Sequence, residues 1–335
     1  MYKIRINYKI NISDTNINKI EKIIFGETGF KIKLLKDCSN LRGKILKTSL
    51  SNGKQYFLKL EPINYYSEAE TLKGIREISD LPVPRIIWYK TRICKDYRAF
   101  LLEGLSGQIL NKTLLANKRD FYCIAKMVGQ ILAKIHSFKF DAQGLLNREG
   151  KLRKISKSVD DLVAENLKYS FKILNENYEW CKRNKVDIKE SFPYLFDAID
   201  KLRNSTNKKF CLLHGDLKPS HFLINKGNNH NYNVSGIIDW EESTVGNPAS
   251  DIAHLFFQFE PENVTFLKNV WNSYKKSTDF IPTVRHIANY FLVIFLIHLS
   301  YYAEYNIKLP NRMYQLIKNI NDIDNITQFL NRILE

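Results

Sequence analysis

The sequence predicts an α+β chain of two lobes, a small antiparallel β lobe followed by a larger, mainly helical lobe. Three observations carry this. Short alternating segments bounded by turn residues crowd the chain up to Glu103. Gly104 and Gly107 then frame a natural connector. From Phe121 onward, apolar residues recur at helical spacing instead. With 335 residues the chain exceeds the usual size of a single core, which suits two units, an N-terminal lobe over 1–104 and a C-terminal lobe over 105–335.

Asp14 or Thr15 is placed to cap a first helix running to about Phe25, with Gly26 as its stop. Phe30 to Lys36 and Lys44 to Leu50 alternate, and Ser51-Asn52-Gly53 forms a hairpin turn into the strand from Gln55 to Leu60. A helix is expected from about Tyr66 to Ile78. Leu81-Pro82-Val83-Pro84 must be extended, because each proline pushes the residue before it out of the helical region. Strands near Arg85–Tyr89 and Arg98–Glu103 complete a five-stranded set. Beyond the connector, Phe121 to Phe138 places Ile124, Val128, Ile131, Leu132 and Ile135 on one helical face. Ser156 to Asn204 reads as polar-faced helix broken at Pro193. Cys211–Leu213, Phe222–Ile224 and Val234–Ile238 are short apolar strands, and helices run on from Asp251.

A composition of 44% hydrophobic and 26% charged residues is that of a globular chain, and it excludes a disordered protein, a collagen and a disulfide mini-scaffold. Five scattered cysteines without a CxxC pair argue for reduced thiols in a cytoplasmic protein and against a zinc site. The N-terminus lacks the apolar stretch of a signal peptide. The most apolar run, Tyr290 to Ile297, ends at His298, well short of the roughly 20 residues that cross a bilayer. It is therefore expected to be a buried helix, with no membrane partner.

The excess of 51 basic over 35 acidic residues, +16 in all, invites a nucleic-acid partner. No RGG run, zinc knuckle or RNP-type strand supports one, so the charge is read as a general Lys, Asn and Ile bias. One local departure matters more. No Lys or Arg lies between Lys226 and Lys268, where Asp239, Glu241, Glu242, Asp251, Glu260 and Glu262 all fall. An acidic island in a basic chain points to a cation site.

The chemistry concentrates in Leu212-Leu-His-Gly-Asp-Leu-Lys-Pro-Ser-His-Phe-Leu-Ile224 and Ser235-Gly-Ile-Ile-Asp-Trp240. Two carboxylates and an imidazole sit at the ends of short apolar strands, where loops can aim them into a cleft. Pro219 stiffens the loop between Asp216 and His221, and Asp239 is held at a strand end. Phosphoryl transfer needs this layout: one carboxylate to orient the attacking hydroxyl, and two further ligands to hold Mg²⁺ on the phosphates.

These segments, together with Gly246-Asn-Pro-Ala-Ser-Asp-Ile-Ala253, resemble the aminoglycoside phosphotransferase family of protein-kinase-like small-molecule kinases. The resemblance implies a two-lobed protein-kinase-like fold, ATP or GTP as donor, Mg²⁺, and transfer of the γ-phosphoryl group to a hydroxyl. It makes Asp216 the catalytic base, His221 and Asp239 the metal ligands, and Asp251 a structural residue. Most of the family has Asn where this chain has His221, which is similar to the macrolide kinases and one branch of aminoglycoside kinases. Neutral imidazole binds divalent metals, but Mg²⁺ prefers oxygen, so a loop-shaping role for His221 stays open. Lys218 matches the Asp-Leu-Lys-Pro pattern of Ser/Thr protein kinases and is expected near the transferring phosphate or in solvent.

In the small lobe, the resemblance implies that Lys59 reaches the α- and β-phosphates. Glu70, not Glu68, is expected to pair with it, lying eleven residues before Leu81 of Leu-Pro-Val-Pro. Cys38 to Gly43 should cover the phosphates, with Ser39 or Asn40 lending hydrogen bonds. The carbonyl of Glu103 and the amide of Leu105 should read the purine. His136 is expected in the core or at a helix cap, and Phe256, Phe257 and Phe259 as packing. With Asp239 and Asp251 assigned, Glu241, Glu242, Glu260 and Glu262 are left to meet ammonium groups of a small-molecule acceptor. That favours an aminoglycoside or macrolide kinase of antibiotic resistance over two alternatives, a choline- or homoserine-type metabolite kinase and a non-catalytic basic pseudokinase. Monomer and homodimer are equally open.

Overall fold

Five antiparallel strands, β1 (Ile32–Asp37), β2 (Lys44–Leu50), β3 (Gln55–Pro62), β4 (Ile86–Cys94) and β5 (Tyr97–Glu103), form one sheet in the order β1-β2-β3-β5-β4. The computed structural model describes residues 14–334 apart from 39–43, 52, 64–65, 95–96, 112–117, 154, 156, 187–208, 228–231, 260–263 and 320–322. Alternation assigns the two faces of the sheet. Leu58 and Leu60 of β3 join Leu46, Trp88 and Leu101 against Ile20 and Ile24 of α1 (Asp14–Thr28). Phe57, Phe100 and Leu102 point the other way, onto Ala69, Leu72 and Ile75 of α2 (Glu68–Ile78). Lys59, opposite Phe100 in the ladder, therefore emerges beneath α2.

The first helix does not stop at Gly26. It runs to Thr28, and the left-handed residue that ends it is Gly29 (φ 72°), whose amide donates to Phe25 O at 2.8 Å. A helical glycine costs only about 1 kcal/mol, so packing of Ile20 and Ile24 carries the helix through Gly26. The turn at 51–53 is a hairpin as expected, closed by Gly53 N→Leu50 O and Leu50 N→Lys54 O, with Asn52 outside the described residues.

The second lobe is mainly helical. The described helices are α3 (Lys118–His136), α4 (Val159–Glu176), α5 (Tyr178–Arg183), α6 (Ala249–Gln258), α7 (Val264–Ser277), α8 (Val284–Glu304), α9 (Asn311–Asn319) and α10 (Ile323–Leu334). Ser158 and Asp161 close a capping box that starts α4. Pro193, expected to break the long helical stretch, lies outside the described residues. The apolar run around Tyr290–Ile297 belongs to α8, a helix long and apolar enough to cross a membrane by length and composition. Most of it is buried against α4, α6 and α10.

β8 (Leu145–Leu146) and β9 (Leu152–Arg153) pair with each other, and two further small sheets hold the loops of interest. β10 (Phe210–Leu213) lies between β7 (Lys139–Phe140) and β13 (Thr244–Gly246). β11 (Phe222–Lys226) lies between β6 (Gln108–Ile109) and β12 (Tyr232–Ile237). β6, β7 and β13 are too short to announce themselves by alternation, and nothing in the sequence pattern pointed to them. The connector is pinned at both ends: Gly104 N donates to Gln55 O at 3.0 Å, and Ser235 Oγ donates to Ser106 O at 2.6 Å. One apolar cluster spans the two lobes, with Leu72 and Phe100 on one side and Leu212, Ile237 and Trp240 on the other.

Candidate active site

The loop after β10 is built around a buried carboxylate. Asp251, in the first turn of α6 and fully buried, accepts the amide of His214 at 2.8 Å and that of Gly215 at 2.9 Å. Gly215 sits at φ 83°, and a Cβ there would stand 2.0 Å from the carbonyl oxygen of Glu242, so only glycine fits. His214 is itself buried, its Nε2 at 3.0 Å from Ile238 O and its ring 4.7 Å from that of Trp240. Behind Asp251, His136 Nε2 lies 3.4 Å from Oδ2, and His136 Nδ1 lies 2.9 Å from Tyr274 OH. The tyrosine hydroxyl also reaches Phe280 O at 3.1 Å. Burial pushes the Asp251 carboxyl upward, but His136 and His214 outweigh it and hold it below the ordinary value. His136 is thus a core residue, and Phe256, Phe257 and Phe259 are core packing as well.

Held from behind in this way, the loop presents Asp216. Lys218 Nζ donates to Asp216 Oδ2 at 2.8 Å, and both side chains are about a quarter to a third exposed. Burial would raise the Asp216 carboxyl, yet Lys218, His221 and His254 hold it well below the usual carboxylate range. It is an anion at any pH near neutrality. Lys218 is accordingly not a solvated loop lysine.

His221 closes a 3₁₀ turn, Pro219–His221, and is 5% exposed. Its Nε2 faces Asp239 Oδ2 at 3.3 Å, while Nδ1 is buried with no hydrogen-bond partner. Burial, with His214 beside it, brings the imidazole down to about 3, so the ring is neutral. Asp239 adopts φ 67°, a left-handed conformation that Asp tolerates better than most residues. The amide of the next residue, Trp240, donates to Glu68 Oε1 at 3.0 Å and helps hold that turn. Lys59 and His221 overcome the effect of burial and lower the Asp239 carboxyl to about 2.

Lys59 meets this group from the small lobe. Its Nζ lies 2.5 Å from Glu68 Oε2, 3.0 Å from Glu241 Oε2 and 3.2 Å from Asp239 Oδ1. Burial alone would pull the ammonium down, but Glu241, Glu68 and Asp239 raise it well above the ordinary lysine value. Burial, only partly offset by Lys59, pushes Glu68 up.

Two expectations are corrected here. The partner of Lys59 is Glu68, not Glu70. Glu68 is the first residue of α2 and is 2% exposed over the sheet, whereas Glu70 is half-buried elsewhere on the helix. Spacing from the Leu-Pro-Val-Pro motif misled because it ignored where the helix begins. Nor do Glu241 and Glu242 stand open to a cationic acceptor. Glu241 is ion-paired to Lys59, and Glu242 is 6% exposed beneath the loop, its carbonyl packed on Gly215. Glu260 and Glu262 lie outside the described residues, as does Ser39 with Asn40. Glu103 ends β5 with its amide donating to Arg85 O, and Leu105 follows in the connector against Gly236. Tyr274 and His254 went unnoticed at the level of sequence. Neither stands in a motif, and only the fold brings them to Asp251 and Asp216.

The donor set suits a divalent cation. One ligand atom each from Asp216, His221 and Asp239 lie within 4.8 Å of one another. Two are ionised carboxylates, the third is a neutral imidazole, and the unpartnered His221 Nδ1 marks a polar atom that the protein alone leaves unsatisfied. Glu68, Asp239 and Glu241 are equally close together, but Lys59 already bonds to all three.

The sequence profile of the phosphotransferase enzyme family matches residues 37–284, a span that contains Lys59, Glu68, Asp216, His221, Asp239 and Asp251. The chain belongs to that family. Its fold is that of protein-kinase-like small-molecule kinases. A thermostable form of the aminoglycoside phosphotransferase APH(4)-Ia, in ternary complex with ADP and hygromycin B, superposes with a TM-score of 0.53 at 15% identity, over 94% of this chain and 96% of the other. The macrolide 2'-phosphotransferase MphH from Brachybacterium faecium gives 0.50 at 14% identity, over 86% and 92%. Among curated sequences, "Probable acyl-CoA dehydrogenase IBR3" from Arabidopsis thaliana is 26% identical over 202 residues, 56% of this chain and 22% of its own length. "Acyl-CoA dehydrogenase family member 11" from Rattus norvegicus is 29% identical over 118 residues, 33% of this chain and 14% of its own. The chain thus spans less than a quarter of the length of these two relatives.

Proposed function

We propose that the chain transfers the γ-phosphoryl group of a nucleoside triphosphate to a hydroxyl of a small molecule. The observation that carries this is the convergence of Asp216 and His221, Asp239, and Lys59 from three separate segments of a phosphotransferase-family fold. Asp216, ionised and held by its loop, orients the acceptor hydroxyl and takes its proton as the new P–O bond forms. Lys218 beside it offsets charge on the transferring group. Lys59, fixed by Glu68, donates to the nucleotide phosphates, and the Glu103 carbonyl and Leu105 amide meet the base. Asp239 and His221, with Asp216 at hand, would hold Mg²⁺, which supplies charge neutralisation on the phosphates when bound.

ATP is favoured as donor, since the APH(4)-Ia structure holds ADP. The acceptor reading is narrower than the acidic island first suggested. With Glu241 on Lys59 and Glu242 buried, these two glutamates give no support for a cationic acceptor. Aminoglycosides and macrolides remain the first acceptors to try because hygromycin B sits in a structural neighbour and MphH is a macrolide kinase. The test is ATP consumption against a panel of aminoglycosides, macrolides, choline, homoserine and hydroxy acids, with and without Mg²⁺. Turnover with one class names the acceptor; failure of both ATP and GTP to bind in either condition refutes the kinase reading.

A further inference from the structure

The three carboxylates on Lys59 leave its ammonium fully engaged. Three N–H bonds face Glu68 at 2.5 Å, Glu241 at 3.0 Å and Asp239 at 3.2 Å. One positive charge against three negative charges leaves a net of minus two at the place where the proposed reaction needs an ammonium to donate to phosphate. One of the three must give way when a nucleotide binds.

Their anchoring decides which one. Glu68 is 2% exposed and its second oxygen accepts the Trp240 amide at 3.0 Å, so it is locked to both lobes. Asp239 is short, rises from a left-handed backbone, and its second oxygen meets His221 at 3.3 Å. Glu241 reaches in from the loop beyond Trp240 on a longer side chain with three torsions, and it is the largest single carboxylate influence holding the Lys59 proton.

We propose that Glu241 is a built-in competitor of the nucleotide phosphates for Lys59. In the nucleotide-free protein it fills the third bond of the ammonium and adds a negative charge where a polyanion must enter. It thereby makes binding of a bare nucleotide weak, and nucleotide accompanied by a divalent cation the form that displaces it. The inference rests on the nucleotide reading of Lys59, and it assigns Glu241 a task other than acceptor recognition.

The test is equilibrium binding of ADP by calorimetry, first in EDTA and then in Mg²⁺, for the parent and Glu241→Gln. The variant keeps two carboxylates on Lys59 and should fold; a melting curve checks this. Removing one close negative charge should tighten ADP binding in EDTA by about fivefold or more, and should shrink the gain brought by Mg²⁺. Equal or weaker binding by Glu241→Gln in EDTA would overturn the proposal while leaving the kinase reading in place. If Lys59→Met binds ADP as well as the parent in both conditions, the nucleotide reading itself is what fails.

Discussion

Lys218 donates a hydrogen bond to Asp216, Nζ to Oδ2, at 2.8 Å. With His221 and His254 it keeps the carboxylate ionised against the pull of burial. Lys218→Met should therefore move the acid limb of the pH dependence of kcat/KM upward, by roughly one pH unit. The direction follows from the base having to be ionised: its folded-state pKa rises when the ammonium goes, so activity is lost at a higher pH than in the parent. An unmoved limb with a depressed kcat would assign Lys218 to the phosphate alone.

Glu68→Gln removes the shortest contact of Lys59 and lets the ammonium drift toward Asp239 and Glu241. Nucleotide affinity should fall severalfold, and stability by about 1–3 kcal/mol, the usual loss when one partner of a buried charged pair is removed while others remain. Glu70→Gln should change neither. Calorimetric titration of both variants decides between the two glutamates.

The fold and the centre of the site were legible for one reason: short-range signals carried them. Alternation set the five strands, and the Asp216, His221 and Asp239 positions stood in contiguous motifs at strand ends. What was not legible depended on three-dimensional register. Glu68 and Glu70 differ by two positions on one helix, and only the packing of α2 against Phe100 and Leu102 chooses between them. The acidic island looked like a surface for a cation because composition records charge but not partners. In the fold, Lys59 arrives from 180 residues away to claim Asp239 and Glu241.

Asp251 and Tyr274 stand behind the loop that presents Asp216, Asp251 on its amides and Tyr274 on His136. Asp251→Asn keeps a carbonyl oxygen for one amide but loses the second acceptor and the charge that His136 faces. We expect kcat to drop by at least about tenfold through a loosened Asp216, with nucleotide affinity within twofold. Tyr274→Phe leaves His136 Nδ1 and Phe280 O short of a partner, so urea unfolding should show a loss of about 1–3 kcal/mol.

His254 is buried, and burial lowers its imidazole below the ordinary value despite Asp216 and Asp251 nearby. The unfolded chain then binds a proton near pH 6.5 that the folded chain refuses, so stability should decline as pH falls below about 6.5. His254→Asn, which can still donate to Ser250 O, should flatten that decline by up to about 1.4 kcal/mol per pH unit in urea melts between pH 6.5 and 5. An unchanged slope would mean that other groups set the acid sensitivity.

The most direct measurement is ³¹P NMR of the acceptor panel incubated with Mg²⁺ and ATP, using the parent and Asp216→Asn at equal concentration. A phosphomonoester resonance should grow with at least one acceptor in the parent, and be slowed at least about a hundredfold in the variant. ADP affinity should be alike in the two proteins. A resonance that grows equally fast with Asp216→Asn, or ATP that binds the parent yet yields no phosphomonoester with any hydroxyl offered, would contradict Asp216 as the base of a small-molecule kinase.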